Sequence, residues 1–190
     1  MSLSSVKKMT LCAICVALCC VLPTAFHMFG PVASVLSPMH IPVLLCGLVC
    51  GWPYGAFCGI AGPLLSSVIT SMPPAAALVH MVPELCVYGL ACGLILGLVR
   101  TGRAIADLYC ALVPAMLLGR IVGGVVRTLF MLGNGQSYTL AMWAGAYLVE
   151  ALPGIVLHLI LVPALALVLT KAGLVPARYP KQEPDKTAAA

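Results

Sequence analysis

Four charged residues lie well inside the long apolar runs of this chain: Glu84, Arg120, Arg127 and Glu150. A charge held in hydrocarbon costs several kcal/mol, so a charge retained there is a functional candidate from the outset. Arg120 and Arg127 are seven residues apart, which on one helix puts them on a common face about 10 Å apart along the axis. Glu84 and Tyr88 share a face at i, i+4. Trp143 and Tyr147 precede Glu150 by a turn or two on its side of a helix. One reading is two buried ion pairs, Glu84–Arg127 and Glu150–Arg120, that fix helix register. The other is a polar pocket for a small solute, mostly apolar with a few placed polar groups. The arginines suit an anionic or carbonyl-bearing solute. The glutamates suit its amine or hydroxyl groups, and the aromatics suit a ring. His40 before Pro42 is either a lid contact or an interfacial residue, and Asn134 within Gly133-Asn134-Gly135 is either a hydrogen-bonding contact or a turn residue. His80 and His158 are weaker candidates.

Other chemistries lack their residues. There is no Walker A pattern, no H-E-x-x-H and no G-x-S-x-G, and Ser66-Ser67 has no obvious base. No enzymatic activity, cofactor or nucleic-acid partner is expected. Ten cysteines would suggest a disulfide framework in a small secreted chain. Here nearly all lie in apolar runs, where cysteine packs as a small hydrophobe. Cys12-x-x-Cys15 lacks a second pair at zinc-ligand spacing, so no metal site is expected.

The elements that position these residues follow from composition. The chain has 190 residues, 62% hydrophobic and 8% charged, against about 25% charged in a soluble domain. Most of its surface must therefore face lipid. Apolar segments run over 10–29, 39–51, 54–70, 75–99, 106–132 and 140–170. They predict an all-α membrane protein, a bundle of six transmembrane helices over residues 1–170 with a polar, frayed tail over 171–190. The basic start at Lys7-Lys8 imitates a signal peptide, but no A-x-A-like site follows Pro23, so 10–29 reads as a retained first span. Segments two and three are short enough to be one broken span. Charge decides against that: Lys7, Lys8, Arg100, Arg103, Lys171, Arg178, Lys181 and Lys186 fall on one side only if six spans are counted. Both termini are then cytoplasmic, loops 30–38, 71–74 and 133–139 are external, and Glu84, Arg120, Arg127 and Glu150 converge on the outer half of the bundle. His40 opens the second span on the outer side.

Small residues recur four apart at Ala13-x3-Ala17, Gly55-x3-Gly59, Gly89-x3-Gly93-x3-Gly97 and Gly119-x3-Gly123. Such stripes let helices approach closely, either inside the bundle or, if they face outward, against a partner. The Ala13/Ala17 pair after Lys7-Lys8, the stretch His40-Ile41-Pro42-Val43-Leu44-Leu45 with Gly47 and Gly51, and Tyr54-Gly55-Ala56 through Gly62-Pro63-Leu64-Leu65-Ser66-Ser67 together resemble the substrate-binding S component of energy-coupling factor (ECF) vitamin transporters. The resemblance runs from Lys8 to about Thr170. It implies a subunit of an ABC-type importer in a prokaryotic cell membrane. Such a subunit binds a vitamin or related micronutrient from outside. It docks through its Ala13/Ala17 face on a transmembrane T component, and two ABC ATPases drive delivery. By region, the resemblance assigns the ligand to Glu84, Tyr88, Arg120, Arg127, Asn134, Trp143, Tyr147 and Glu150, with Ser37 to His40 from the first loop. The rival is a stand-alone secondary transporter of a small polar solute, with Glu84 or Glu150 as a proton site. Such transporters often carry an internal repeat, and none is evident between 10–70 and 75–170.

Overall fold

The computed structural model describes residues 3–26, 36–177 and 179. Most of the first loop therefore lies outside the described residues, as do Arg178, Lys181 and Lys186. Among the described residues the chain is all-helical: α1 (Ser5–Phe26), α2 (His40–Cys50), α3 (Trp52–Thr70), α4 (Ala75–Leu98), α5 (Ala104–Gly133), α6 (Leu140–Ala144, continued by a π-helical turn over Gly145–Val149) and α7 (Leu152–Lys171). With almost no polar side chains to satisfy backbone groups in lipid, helices are the available solution. Five of them, α1, α3, α4, α5 and α7, are long and apolar enough to cross a membrane, and the protein is a multi-pass membrane protein.

The second apolar segment, 39–51, departs from a full span. With 11 residues, α2 rises about 16 Å, roughly half the hydrocarbon thickness. All of its residues except Val49 are buried, and α1, α3, α4 and α7 surround it. It is not half of one straight broken span with α3. Gly51 adopts φ +95°, and a Cβ on Gly55 would lie 2.6 Å from the Cα of Gly47. Residues eight apart touch only if the chain reverses between them, so α2 and α3 form a tight hairpin. His40, at the start of α2, therefore sits within the bundle at 7% exposure and not at an interface.

Three glycines make this centre possible. A Cβ on Gly89 would strike the Gly55 carbonyl, one on Gly55 the Gly89 carbonyl, and one on Gly47 the same Gly89 carbonyl. The backbones of α2, α3 and α4 meet there with no side chain between them. The cysteines do similar work for α1, whose buried positions are Cys12, Cys15 and Cys19. They face a region holding buried Cys46, Cys50 and Cys58, with the Cys12 thiol donating to the Tyr54 carbonyl at 3.6 Å. The opposite side of α1, with Ala13 and Ala17, is exposed.

Polar side chains close the connections. Ser66 and Ser67 donate to the carbonyls of Met72 and Pro73, both at 2.8 Å, and staple the α3–α4 turn. Asp107, in the first turn of α5, is fully buried. It accepts from the Thr101 amide and hydroxyl and from the Tyr179 hydroxyl, each at 2.7 Å. Among the described residues of the tail, Tyr179 is thus tied to the α4–α5 connector. Tyr179→Phe should speed proteolytic trimming of the tail several-fold in detergent, leaving the bundle's melting temperature within about 2 °C; equal trimming rates would show that the hydroxyl does not hold the tail.

Candidate functional site

The polar constellation grows from α4. His80, Glu84 and Tyr88 follow one another at i, i+4 and i+8, so they form a single stripe. Glu84 and Tyr88 are both more than nine-tenths buried. The Tyr88 hydroxyl donates to Glu84 Oε1 at 2.7 Å. His40 from α2 brings Nε2 to 3.9 Å from the same oxygen and packs its ring 5.3 Å from that of Tyr88. Behind it stands His158 of α7, fully buried and stacked on His40 at 5.5 Å. Both imidazoles converge on the Ser37 carbonyl, His40 through Nδ1 at 3.1 Å and His158 through Nε2 at 3.3 Å. Ser37 holds φ +45°, a left-handed conformation uncommon for a residue with a Cβ. These two contacts anchor it.

Helix α5 supplies the opposing wall. Gly119 seats the Tyr88 ring, Gly123 seats the Glu84 carboxylate, and Gly124 seats the Trp143 indole. The Gly119-x3-Gly123 stripe is thus a set of sockets for polar and aromatic side chains rather than a backbone-to-backbone seam. Between the sockets, Arg120 is 6% exposed and donates Nη1 to the Tyr147 carbonyl at 2.6 Å. The π-helical turn explains that acceptor. Pro153 opens α7, and its ring cannot sit over an unbroken α-helical ladder. The preceding turn widens instead, with the Glu150 amide bonding to the Gly145 carbonyl at i−5. A widened turn releases a carbonyl for another donor. Two turns along α5, the Arg127 guanidinium lies 5.4 Å over the ring of Tyr138, a cation–π contact. Arg127 is also within electrostatic reach of Tyr147 and His80. Trp143 stacks on Tyr147 at 6.0 Å.

Of the residues singled out in the sequence, the structure therefore brings His40, Glu84, Tyr88, Arg120, Arg127, Trp143 and Tyr147 to one end of the bundle. It does not bring two. Glu150 is exposed, because the wide turn at Gly145–Val149 rotates the next residue away from the face carrying Tyr147. Asn134 is exposed and donates Nδ2 to the Phe130 carbonyl at 2.8 Å, closing the C-terminus of α5. Neither anticipated ion pair forms. Glu84 meets Tyr88 and His40, and Arg120 meets a carbonyl. Sequence reasoning missed Tyr138, for which a loop position gave no cue. It also missed Asp107, whose place one turn inside a helix start was a cue to a capping role.

Residues 7–166 match the family model for the ECF transporter, substrate-specific component. No curated protein and no solved structure matches the chain. The family match covers most of the chain, all its membrane-spanning helices except the beginning of α1 and the end of α7, and every residue of the constellation just described. The chain belongs to the family of ECF transporter substrate-specific components, and is a multi-pass membrane subunit that carries a transporter's specificity rather than an enzyme.

Proposed function

We propose that this chain is the vitamin- or micronutrient-binding subunit of an ECF-type importer in a prokaryotic cell membrane, with its solute site in the end of the bundle marked by Glu84, Arg120, Arg127, Trp143 and Tyr147. Basic residues mark the opposite end, where Arg100 and Arg103 lie beside Asp107, and the positive-inside rule puts that end in the cytoplasm. The α2–α3 reversal at Gly51 supports an even number of chain passages and both termini on that side. The solute then arrives from outside and is released inwards only after docking on a T component driven by two ABC ATPases.

The observation that carries this reading is a division of labour between two faces. Costly buried polar groups gather at one end of the bundle, while the small-residue stripe of α1 turns outward. Ala13 and Ala17 are exposed, although the bundle's other small-residue contacts at Gly55, Gly59, Gly89 and Gly93 are used up inside it. A smooth outward stripe in lipid suits close approach of a partner helix. A stand-alone secondary transporter needs no such face.

The test is partner dependence. Cells expressing the chain with a T component and both ATPases should accumulate a solute from a defined vitamin mixture at least tenfold over cells expressing the chain alone. Accumulation by the chain alone, abolished by a protonophore, would instead favour the secondary transporter.

A further inference from the structure

We propose that the site takes a solute bearing a single carboxylate, held by the Arg127 guanidinium with the hydroxyls of Tyr138 and Tyr147, while Arg120 Nε donates to a carbonyl or hydroxyl deeper in. The inference rests on the binding-subunit reading above and gives it a substrate class.

The argument begins with unmet hydrogen-bonding capacity. Among the described residues, Arg120 Nε, Arg127 Nε, Tyr138 Oη, Tyr147 Oη and, away from them on α7, His158 Nδ1 are buried and make no hydrogen bond of ordinary geometry. Arg120 and Tyr147 are each 6% exposed. A buried donor left unsatisfied costs about 1–3 kcal/mol, and more when it is charged. Four such groups in one neighbourhood are hard to account for as packing. Three of them belong to neighbouring side chains: the Arg127 guanidinium covers the Tyr138 ring, and Tyr147 is close enough to Arg127 to interact with it electrostatically. The fourth, Arg120 Nε, lies two helical turns back along α5, about 10 Å away. The solute is therefore elongated, with its acid at Arg127 and a neutral acceptor at Arg120.

Charge selects the class. Among the described residues neither arginine is paired with a carboxylate: Glu84 has His40 Nε2 at 3.9 Å and Glu150 is exposed. With the histidines counted as neutral, two guanidiniums against one buried carboxylate leave a formal +1 in the site. A cationic solute adds to that imbalance, a neutral one leaves it, and a phosphate dianion overshoots it. A monocarboxylate balances it, and its two oxygens match the planar fork of an arginine. Glu84 is already occupied by Tyr88 and His40, so it is not free to select an amine. The stacked Trp143 and Tyr147 supply a flat apolar wall for the body of the solute.

The test uses defined probes. Cells expressing the full chain are fed an equimolar mixture of nicotinate, biotin and pantothenate, their amide or alcohol counterparts, and thiamine as a cation. The purified chain is then denatured and the released solutes are identified by mass spectrometry. The expected result is one acid, from the mixture or from the cell, retained near one per chain and at least tenfold over its neutral counterpart. Arg127→Gln should lose that solute by tenfold or more, and Arg127→Lys, which keeps the charge but not the fork, should retain an intermediate amount. A neutral or cationic solute retained near one per chain overturns this inference and leaves the binding-subunit reading standing. An acid retained equally by wild type and by a monodisperse Arg127→Gln removes the seat at Arg127. If Arg127→Gln does not fold, Tyr138→Phe and Arg127→Lys decide the same point. A chain that carries no solute at all overturns the binding-subunit reading and the inference with it.

Discussion

Ala17→Trp, and equally Ala13→Trp, should abolish uptake by the assembled transporter while leaving solute retention by the purified chain within twofold of wild type. Both alanines are exposed on α1, and the side of the helix that packs on the bundle is the Cys12, Cys15 and Cys19 face. An indole added there points into lipid in the isolated subunit and meets nothing. In a docked complex it holds two helices apart along a seam that depends on close backbone approach. A loss of about 3 kcal/mol in docking is roughly a hundredfold in affinity, enough to empty the complex at ordinary expression levels. The measurement pairs co-purification of the T component with solute retention by the same variant. Loss of both together would show that Ala13 and Ala17 serve folding.

The second large effect lies at the centre of the bundle. Gly89→Leu should leave no monodisperse protein in detergent extracts. Any Cβ at this position runs into the Gly55 carbonyl, so even Gly89→Ala forces α3 and α4 apart, at about 1–3 kcal/mol for overpacking of a tight core. A leucine requires the α2–α3 hairpin to leave its seat. Gly97, eight residues on in the same stripe, is the internal control, because a Cβ there has nothing within 4 Å. Gly97→Leu should purify like wild type. Equal behaviour of the two variants would show that the stripe, and not this particular crossing, sets the fold.

That contrast also shows how far the sequence could be read. Apolar composition and in-span charges are properties of residue type, so the all-helical membrane fold and the candidates Glu84, Arg120 and Arg127 were legible. The spacing of Gly89, Gly93 and Gly97 announced a small-residue stripe but not its direction or extent, which depend on which helix lies opposite. The burial of His40 was not legible, because an apolar run of ordinary appearance is a half-length helix begun inside the bundle. Phase was misjudged for Glu150. Counting along 140–170 assumed one α-helical period, and the π-helical turn before Pro153 breaks it. The choice between ion pairs and a pocket was not legible for a related reason: Arg120 bonds to a main-chain carbonyl, and a carbonyl carries no signature in sequence.

The solute retention on which the docking prediction relies presupposes that the groups around Arg120 and Arg127 form one site, and Trp143 reports on it directly. The chain has two tryptophans. Trp143 packs on Gly124 and Tyr147 within the constellation. Trp52 lies at the α2–α3 turn beside Gly93, about 13 Å along α4 from the level of Glu84. In a Trp52→Phe background, titration with the solute released from the purified chain should change Trp143 emission saturably, and Arg127→Gln should shift the midpoint at least tenfold higher. Saturable binding of that solute by calorimetry, with Trp143 emission unchanged, would place the site elsewhere and contradict the account.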